Sequence, residues 1–188
     1  MSIEVVIARF DENVSYISEI NQQIFLYDKS GSVKNAKYIP CIGREDFTYL
    51  YHILNSEDND NTHICFLQGN PFDHCPDILS ILNSPIDSDL IWLNDYFGNK
   101  LIRTGLHGDA HHLHVGQITE MLFESTPEEW DFNPGAQFII SKQIIRSRNR
   151  KFWECCLDIS TSVEEAAWKF ERTWPLIFNL NIKSKSHL

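Results

Sequence analysis

The chain has 188 residues, 43% hydrophobic and 22% charged, a globular composition that fits one domain whose core needs neither disulfide nor metal staples. Its net charge of −10 and its pI near 5.2 argue against nucleic acid as the main partner. No apolar run approaches the roughly 18 residues needed to cross a bilayer. Residues 1–5 lack the basic region and cleavage site of a signal peptide, so an intracellular, cytoplasmic protein is expected.

Residues 3–10 (IEVVIARF) read as a central strand that ends at Asp11, with Asn13 an N-cap for a short helix carrying Val14, Ile17 and Ile20 on one face. Residues 24–27 form a second strand, and strand, short helix, strand implies a right-handed parallel βαβ unit. After an irregular segment, Gly43-Arg44-Glu45 opens a helix with Phe47, Leu50, Tyr51 and Leu54 at helical spacing. Residues 63–67 form a short, buried strand that stops at Gln68-Gly69 and turns into the polar loop Asn70-Pro71-Phe72-Asp73-His74, before a helix over 77–82. Signals weaken from 87 to 126: residues 90–93 fit strand or helix, Gly98 and Gly105 interrupt, and 116–123 read as helix. A strand over 136–140 follows Pro134-Gly135. The remainder is helical, with a stripe of Phe152, Cys156 and Ile159, then a capping box at Ser162 and Glu165. Residues 1–182 are expected to form one α/β domain with a mostly parallel sheet and flanking helices, and 183–188 a frayed tail.

Ligands of such proteins sit outside the carboxyl ends of the strands, which draws attention to Arg9 and Asp11, to Gln68, Asp73 and His74, and to Gln137. Arg44 beside Glu45 at a helix start can clamp a bidentate anion or serve as a structural ion pair. Five of the sixteen Lys and Arg residues lie between 142 and 151. Arg146 and Arg148 among them suit either a phosphate or a solvated helix face. The densest histidine cluster, 107–114, makes His111 and His112 candidate ligands of Mn2+ or Mg2+ together with His74, and Asp95 or Asp109 could complete a set. No diagnostic metal spacing is present. Cys41, Cys65, Cys75, Cys155 and Cys156, odd in number and without a CxxC pair, read as reduced thiols. Trp153, Phe170, Trp174 and Phe178 recur at helical spacing and read as core, and Glu171-Arg172 as packing with a salt bridge.

The blocks VVIARFDENVSYI…IFLYDKS, GREDFTYLYHIL, FLQGNPFDHCPDIL, PGAQFIISKQIIRSRNRKFWE and ERTWPLIF, in order from residue 3 to 178, resemble a bacterial and fungal family known only as a domain of unknown function. More distantly, VVIARFDEN…IFLYDKS and PGAQFIIS are similar to segments of glycosyltransferases of the GT-A fold. That resemblance implies a reduced nucleotide-sugar fold, with Asp11 near the nucleotide, Arg44 and Arg146 on phosphate, and Gln68, Asp73 and His74 at the reacting centre. It also implies a divalent cation held by Asp-x-Asp, where this chain has Gln68-Gly69-Asn70. Three functions follow as expectations: a glycosyltransferase-like enzyme acting on a nucleotide-activated sugar and a glycan acceptor; a metal-assisted hydrolase using His74, His111 and His112; and a non-catalytic sugar- or nucleotide-binding module, which the short chain favours.

Overall fold

The apolar run near the start of the chain becomes β1, Ile3–Arg9, and every one of its residues is buried, as a parallel strand covered on both faces requires. In this computed structural model, which describes residues 2–57, 59–94, 100–110 and 112–188, a 3-10 turn leads to β2 (Gln23–Asp28), β3 (Lys37–Tyr38), α1 (Glu45–Asn55) and β4 (His63–Gln68). A second 3-10 turn, Pro71–Asp73, precedes α2 (Ile78–Leu82) and β5 (Leu90–Trp92). There follow β6 (Ile102–Gly105), α3 (Gly116–Leu122), β7 (Glu129–Phe132), β8 (Phe138–Ser141), α4 (Lys142–Ser147), α5 (Arg150–Ser162) and α6 (Ala166–Phe178).

Six strands form a mixed sheet in the order β3-β2-β1-β4-β8-β5. β1 pairs in parallel with β2 and β4, and β2 with β3, while β8 runs antiparallel to both β4 and β5. β6 and β7 make a separate antiparallel ribbon; β6 lies in the 87–126 stretch of weak sequence signals and β7 just beyond it. Among the described residues no helix is long and apolar enough to cross a membrane.

The pleat divides the core. Val6, Ala8, Ile64, Phe66, Phe138 and Ile140 face a layer that includes Leu50, Phe152, Phe170 and Trp174. Ile3, Val5, Ile7, Cys65, Leu67 and Ile139 face the opposite layer with Tyr16, Ile20, Ile78 and Leu82. Period-two alternation assigns each neighbour to a different face. The same alternation puts Glu4 under α1, where it is fully buried. There its carboxylate lies 3.2 Å from both His52 Nε2 and Lys142 Nζ and accepts a hydrogen bond from Asn59 Nδ2. His52 Nδ1 in turn bonds the Tyr27 hydroxyl at 2.9 Å. Burial alone would push the Glu4 carboxyl up, but the hydrogen bonds from His52 and Asn59 and the charges of His52 and Lys142 outweigh it and bring it down to about 2.

Three local expectations are corrected. Asn13 does organise the turn after β1, accepting a bond from the Ser15 amide, but the element it precedes is the 3-10 turn Ser15–Glu19 and not an α-helix. Ser162 is the last residue of α5, its hydroxyl donating to the Asp158 carbonyl, and α6 starts after Glu165 in a left-handed conformation (φ 57) with no side-chain cap. Backbone geometry, with the chain reversing between two helices, overrides the Ser-x-x-Glu pattern. The terminal segment expected to fray is docked: Ser184 bridges Phe123, the Lys185 amide donates to Leu122, and Asn149 donates to the Leu188 carbonyl.

Glu4→Gln leaves the buried Lys142 charge without its anion, so a loss of about 3–5 kcal/mol at pH 7 is expected in urea denaturation. The Glu4 carboxyl is depressed, so its stabilisation is complete above about pH 4.5 and fades as pH falls towards 2. The wild-type protein should lose stability across that window more steeply than the variant.

Candidate functional site

The ends of β1, β2 and β4 come together with the start of α1 around a cavity of about 400 Å3. This is the carboxyl edge of the parallel strands. Its floor is set by Arg9, whose guanidinium donates to Asp28 Oδ1 (2.7 Å), the Ser30 and Ser32 hydroxyls, and the carbonyls of Phe10 and Glu12. Arg9 therefore ties the end of β1 to the turn after β2 rather than offering its charge to a ligand. Burial raises the Asp28 carboxyl, but bonds from the Val33 and Ser30 amides, the Ser30 hydroxyl and Arg9 bring it down to about 2.

Lys29, next along the chain, donates its ammonium to the carbonyls of Ile42, Gly43 and Arg44, and burial is the main cause of its lowered pKa. It thereby clamps the loop that carries the cavity wall. That loop turns at Gly43 (φ 57), where a Cβ would come within 2.9 Å of Phe47 Cβ, so only glycine fits without a shift. Arg44 follows with its side chain 55% exposed, 3.5 Å from Glu45 and with its guanidinium 4.8 Å from the centre of the Trp168 ring. Glu45 lines the cavity with Gln68, whose amide nitrogen donates to the Gly135 carbonyl (3.0 Å) and lies 3.4 Å from Glu45 Oε1. Phe10, half-exposed, and Glu12 complete the mouth.

Behind this wall the 134–136 loop carries two left-handed residues, Gly135 (φ 99) and Ala136 (φ 49). The Gly135 amide donates to Glu171 Oε1 at 2.6 Å. Burial pushes the Glu171 carboxyl up, and the Gly135 bond and the Arg172 charge oppose it. The His74 ring lies against Gly135, and its Nδ1 is buried without a hydrogen-bond partner among the described residues. Beside the cavity, Asp46 is also buried, its Oδ2 unpartnered among the described residues. Burial and the neighbouring Glu45 charge push it up to about 6.

The structure thus brings Arg9, Arg44, Glu45 and Gln68 to one cleft. Gln137 stands behind it: its side chain accepts from the Gln68 amide and donates to the Pro71 carbonyl, so it fixes the 68–71 turn from a buried position. Asp11 is exposed beside the mouth. Asp73 is exposed on the 3-10 turn, and neither it nor His74 lines the cavity. Arg146 lies at the other end of the sheet, near His63 and Ser141. Arg148 is corrected outright. It is buried between the Phe123 and Phe152 rings and donates to the carbonyls of Ile177, Asn179 and Ile182, which closes the C-terminus of α6. His112 is exposed, 3.7 Å from Glu165; Asp109 is engaged by Arg172; His111, Asp95 and Gly98 lie outside the described residues. All five cysteines are free, and Cys41 lines the cavity. Among the described residues no three His, Cys, Asp or Glu side chains are grouped to hold a metal ion.

Sequence reasoning missed Glu12, Lys29, Asp46 and Trp168. Glu12 and Lys29 were detectable, since each stands just past the end of a parallel strand. Asp46 and Trp168 carry no such signal. Compared with protein-family profiles, curated proteins and solved structures, the chain gives no significant match.

Two variants separate framework from cleft. Arg148→Ala should destabilise the fold by about 2 kcal/mol, because one buried and two part-buried carbonyls lose a charged donor; urea denaturation reads this directly. Asp46→Asn keeps the acceptor for the Arg44 amide and removes a buried, poorly paired charge. A raised carboxyl opposes folding increasingly as pH climbs from about 3.8 through 6, so the variant should be more stable than wild type at pH 8, by roughly 1–3 kcal/mol. The advantage should vanish near pH 4.

Proposed function

We propose that the cleft binds a nucleotide-activated sugar and that the protein acts on it as a glycosyltransferase-like enzyme of reduced GT-A type. The observation that carries this reading is the position and lining of the cavity: it opens at the carboxyl ends of three parallel strands, with an exposed guanidinium, a carboxylate and a carboxamide on one wall. Arg44 supplies the charge for a diphosphate. Arg9 and Lys29 hold the backbone around it. Glu45 is the carboxylate best placed to accept the proton of an acceptor hydroxyl as that oxygen bonds the anomeric carbon and the nucleoside diphosphate departs with the electrons of the broken C–O bond. This role passes to Glu45 from Asp73 and His74, which do not line the cavity.

The GT-A resemblance implies a divalent cation, and the residues present do not fit one where Asp-x-Asp is expected. Gln68 turns its NH2 towards Glu45 and the Gly135 carbonyl, and a hard cation prefers carboxylate oxygens to such a donor-facing amide. The reading as a binding module without catalysis is favoured by one observation: about 400 Å3 suits a single nucleotide-sized ligand better than donor and acceptor together.

A thermal-shift screen of nucleoside diphosphates and nucleotide sugars tests the proposal. A ligand at 100 times its Kd should stabilise the fold by about 2.7 kcal/mol, to the same extent with and without Mn2+. Arg44→Ala should weaken that binding by about one to two orders of magnitude, since a charge-assisted bond is worth about 1.5–3 kcal/mol, while leaving the unliganded melting temperature unchanged. Release of nucleoside diphosphate in the presence of a glycan acceptor identifies the enzyme; binding without release identifies the module. Absence of any shift across the screen ends the reading.

A further inference from the structure

The aromatic stripe of α6 faces the core: Phe170 and Trp174 are fully buried and Phe178 nearly so. Trp168, on the first turn of the same helix, is the exception, with 48% of its surface exposed. Indole pairs a broad apolar face with a polar N–H, and half of this one stays open to solvent beside the cleft. Trp168 meets the cleft through Arg44, which lines the cavity and lies over the indole. The next residue, Glu45, is only 15% exposed and stands within reach of the Gln68 amide.

We propose, building on the nucleotide-sugar reading, that Trp168 forms a subsite for the sugar ring at the outer wall of the cleft, adjoining the diphosphate held by Arg44. The chemistry of this wall selects a sugar. A pyranose has an apolar C–H face and a rim of hydroxyls, so it needs a flat apolar partner below and hydrogen-bonding groups at its edge. Trp168, which adjoins the cavity through Arg44 rather than lining it, supplies the first with the ring surface that Arg44 leaves exposed; the Glu45 carboxylate supplies acceptors and the Gln68 carboxamide supplies both donors and acceptors at the second. Arg44 links the two subsites, because the group that lies over the indole is also the group facing the cavity. A nucleotide sugar carries its diphosphate next to its sugar, the same order in which Arg44 and Trp168 stand. The indole stands outside the buried aromatic core, and the side chain placed over its ring is that of Arg44.

The test compares a nucleoside diphosphate with the corresponding nucleotide sugar on the full chain, by calorimetric titration of wild type, Trp168→Ala and Trp168→Phe. Wild type should bind the nucleotide sugar more tightly than the diphosphate. Trp168→Ala should lose that increment, about tenfold, and keep its affinity for the diphosphate; Trp168→Phe should retain most of it. The melting temperature of each unliganded variant should match wild type, because the indole is half in water. Equal weakening of both ligands, or no weakening of either, overturns the sugar subsite while leaving the cleft as a nucleotide site. Equal affinity of wild type for both ligands does the same. If neither ligand binds wild type, the nucleotide-sugar reading fails and the subsite falls with it, an outcome distinct from the others because it precedes any mutation.

Discussion

Strand β1 carries a charge near each end, Glu4 and Arg9, and both are buried. A buried charge without a partner is prohibitively unfavourable, so the fold must bring a counter-charge to each end of its central strand. At the first end α1 delivers His52 and α4 delivers Lys142, with Asn59 between them. At the other, β2 delivers Asp28, followed by the Ser30 and Ser32 hydroxyls. The partners come from distant parts of the chain, yet both knots are satisfied only when β1 is sandwiched between β2 and β4 with α1 across one face. The hydrophobic alternation of β1 and β4 supplies the driving force; the two charges select the register. A one-residue slip of β1 would turn Glu4 into the apolar layer around Ile78 and away from every partner it has.

The two ends differ in what they leave over. At the Glu4 end the partners close on one another, and Tyr27 completes a chain of polar groups buried within the sheet and helix layers. At the Arg9 end the satisfied pair forms a floor, and the adjacent groups are less well matched: Asp46 is held above its ordinary pKa, Glu171 likewise, and His74 Nδ1 lacks a partner among the described residues. Backbone in the left-handed region at Gly43, Gly135 and Ala136 gathers here as well. For Ala136 that conformation costs on the order of 1 kcal/mol or more. Unfavourable electrostatics and a left-handed alanine thus collect at the Arg9 end, while the charges at the Glu4 end are compensated.

The main strands and helices were legible because their apolar periodicities are strong. Residues 3–9 and 63–68 contain runs that only a doubly covered strand tolerates, and Phe47, Leu50 and Leu54 repeat at helical spacing. The reversal of β8 was not legible, since a buried strand looks the same in either direction. β6 and β7 have four residues each, so even the strict alternation of Glu129, Trp130, Asp131 and Phe132 is too short to stand out. In the cleft, residue types at strand ends were readable, but which cation would face solvent was not. Arg9, Lys29, Arg44 and Arg148 are indistinguishable as sequence signals.

What separates those four cations is the supply of unpaired carbonyls nearby. Arg148 stands where α6 ends, and a helix end leaves several carbonyls without intrahelical partners; the guanidinium fork takes three acceptors there and buries itself between two rings. Lys29 meets the 42–44 turn, whose geometry aims three successive carbonyls inward, and an ammonium with three donors saturates them. Arg9 finds a carboxylate, two hydroxyls and two carbonyls. Arg44 carries the last of the carbonyls that Lys29 has engaged, at the start of a helix where the backbone offers N–H groups instead. It is left with the edge of Glu45 and the face of an indole, both weakly binding in water. A guanidinium so lightly held is free to reorganise, and the internal satisfaction of Arg9 and Lys29 is why the proposed anion contact falls to Arg44.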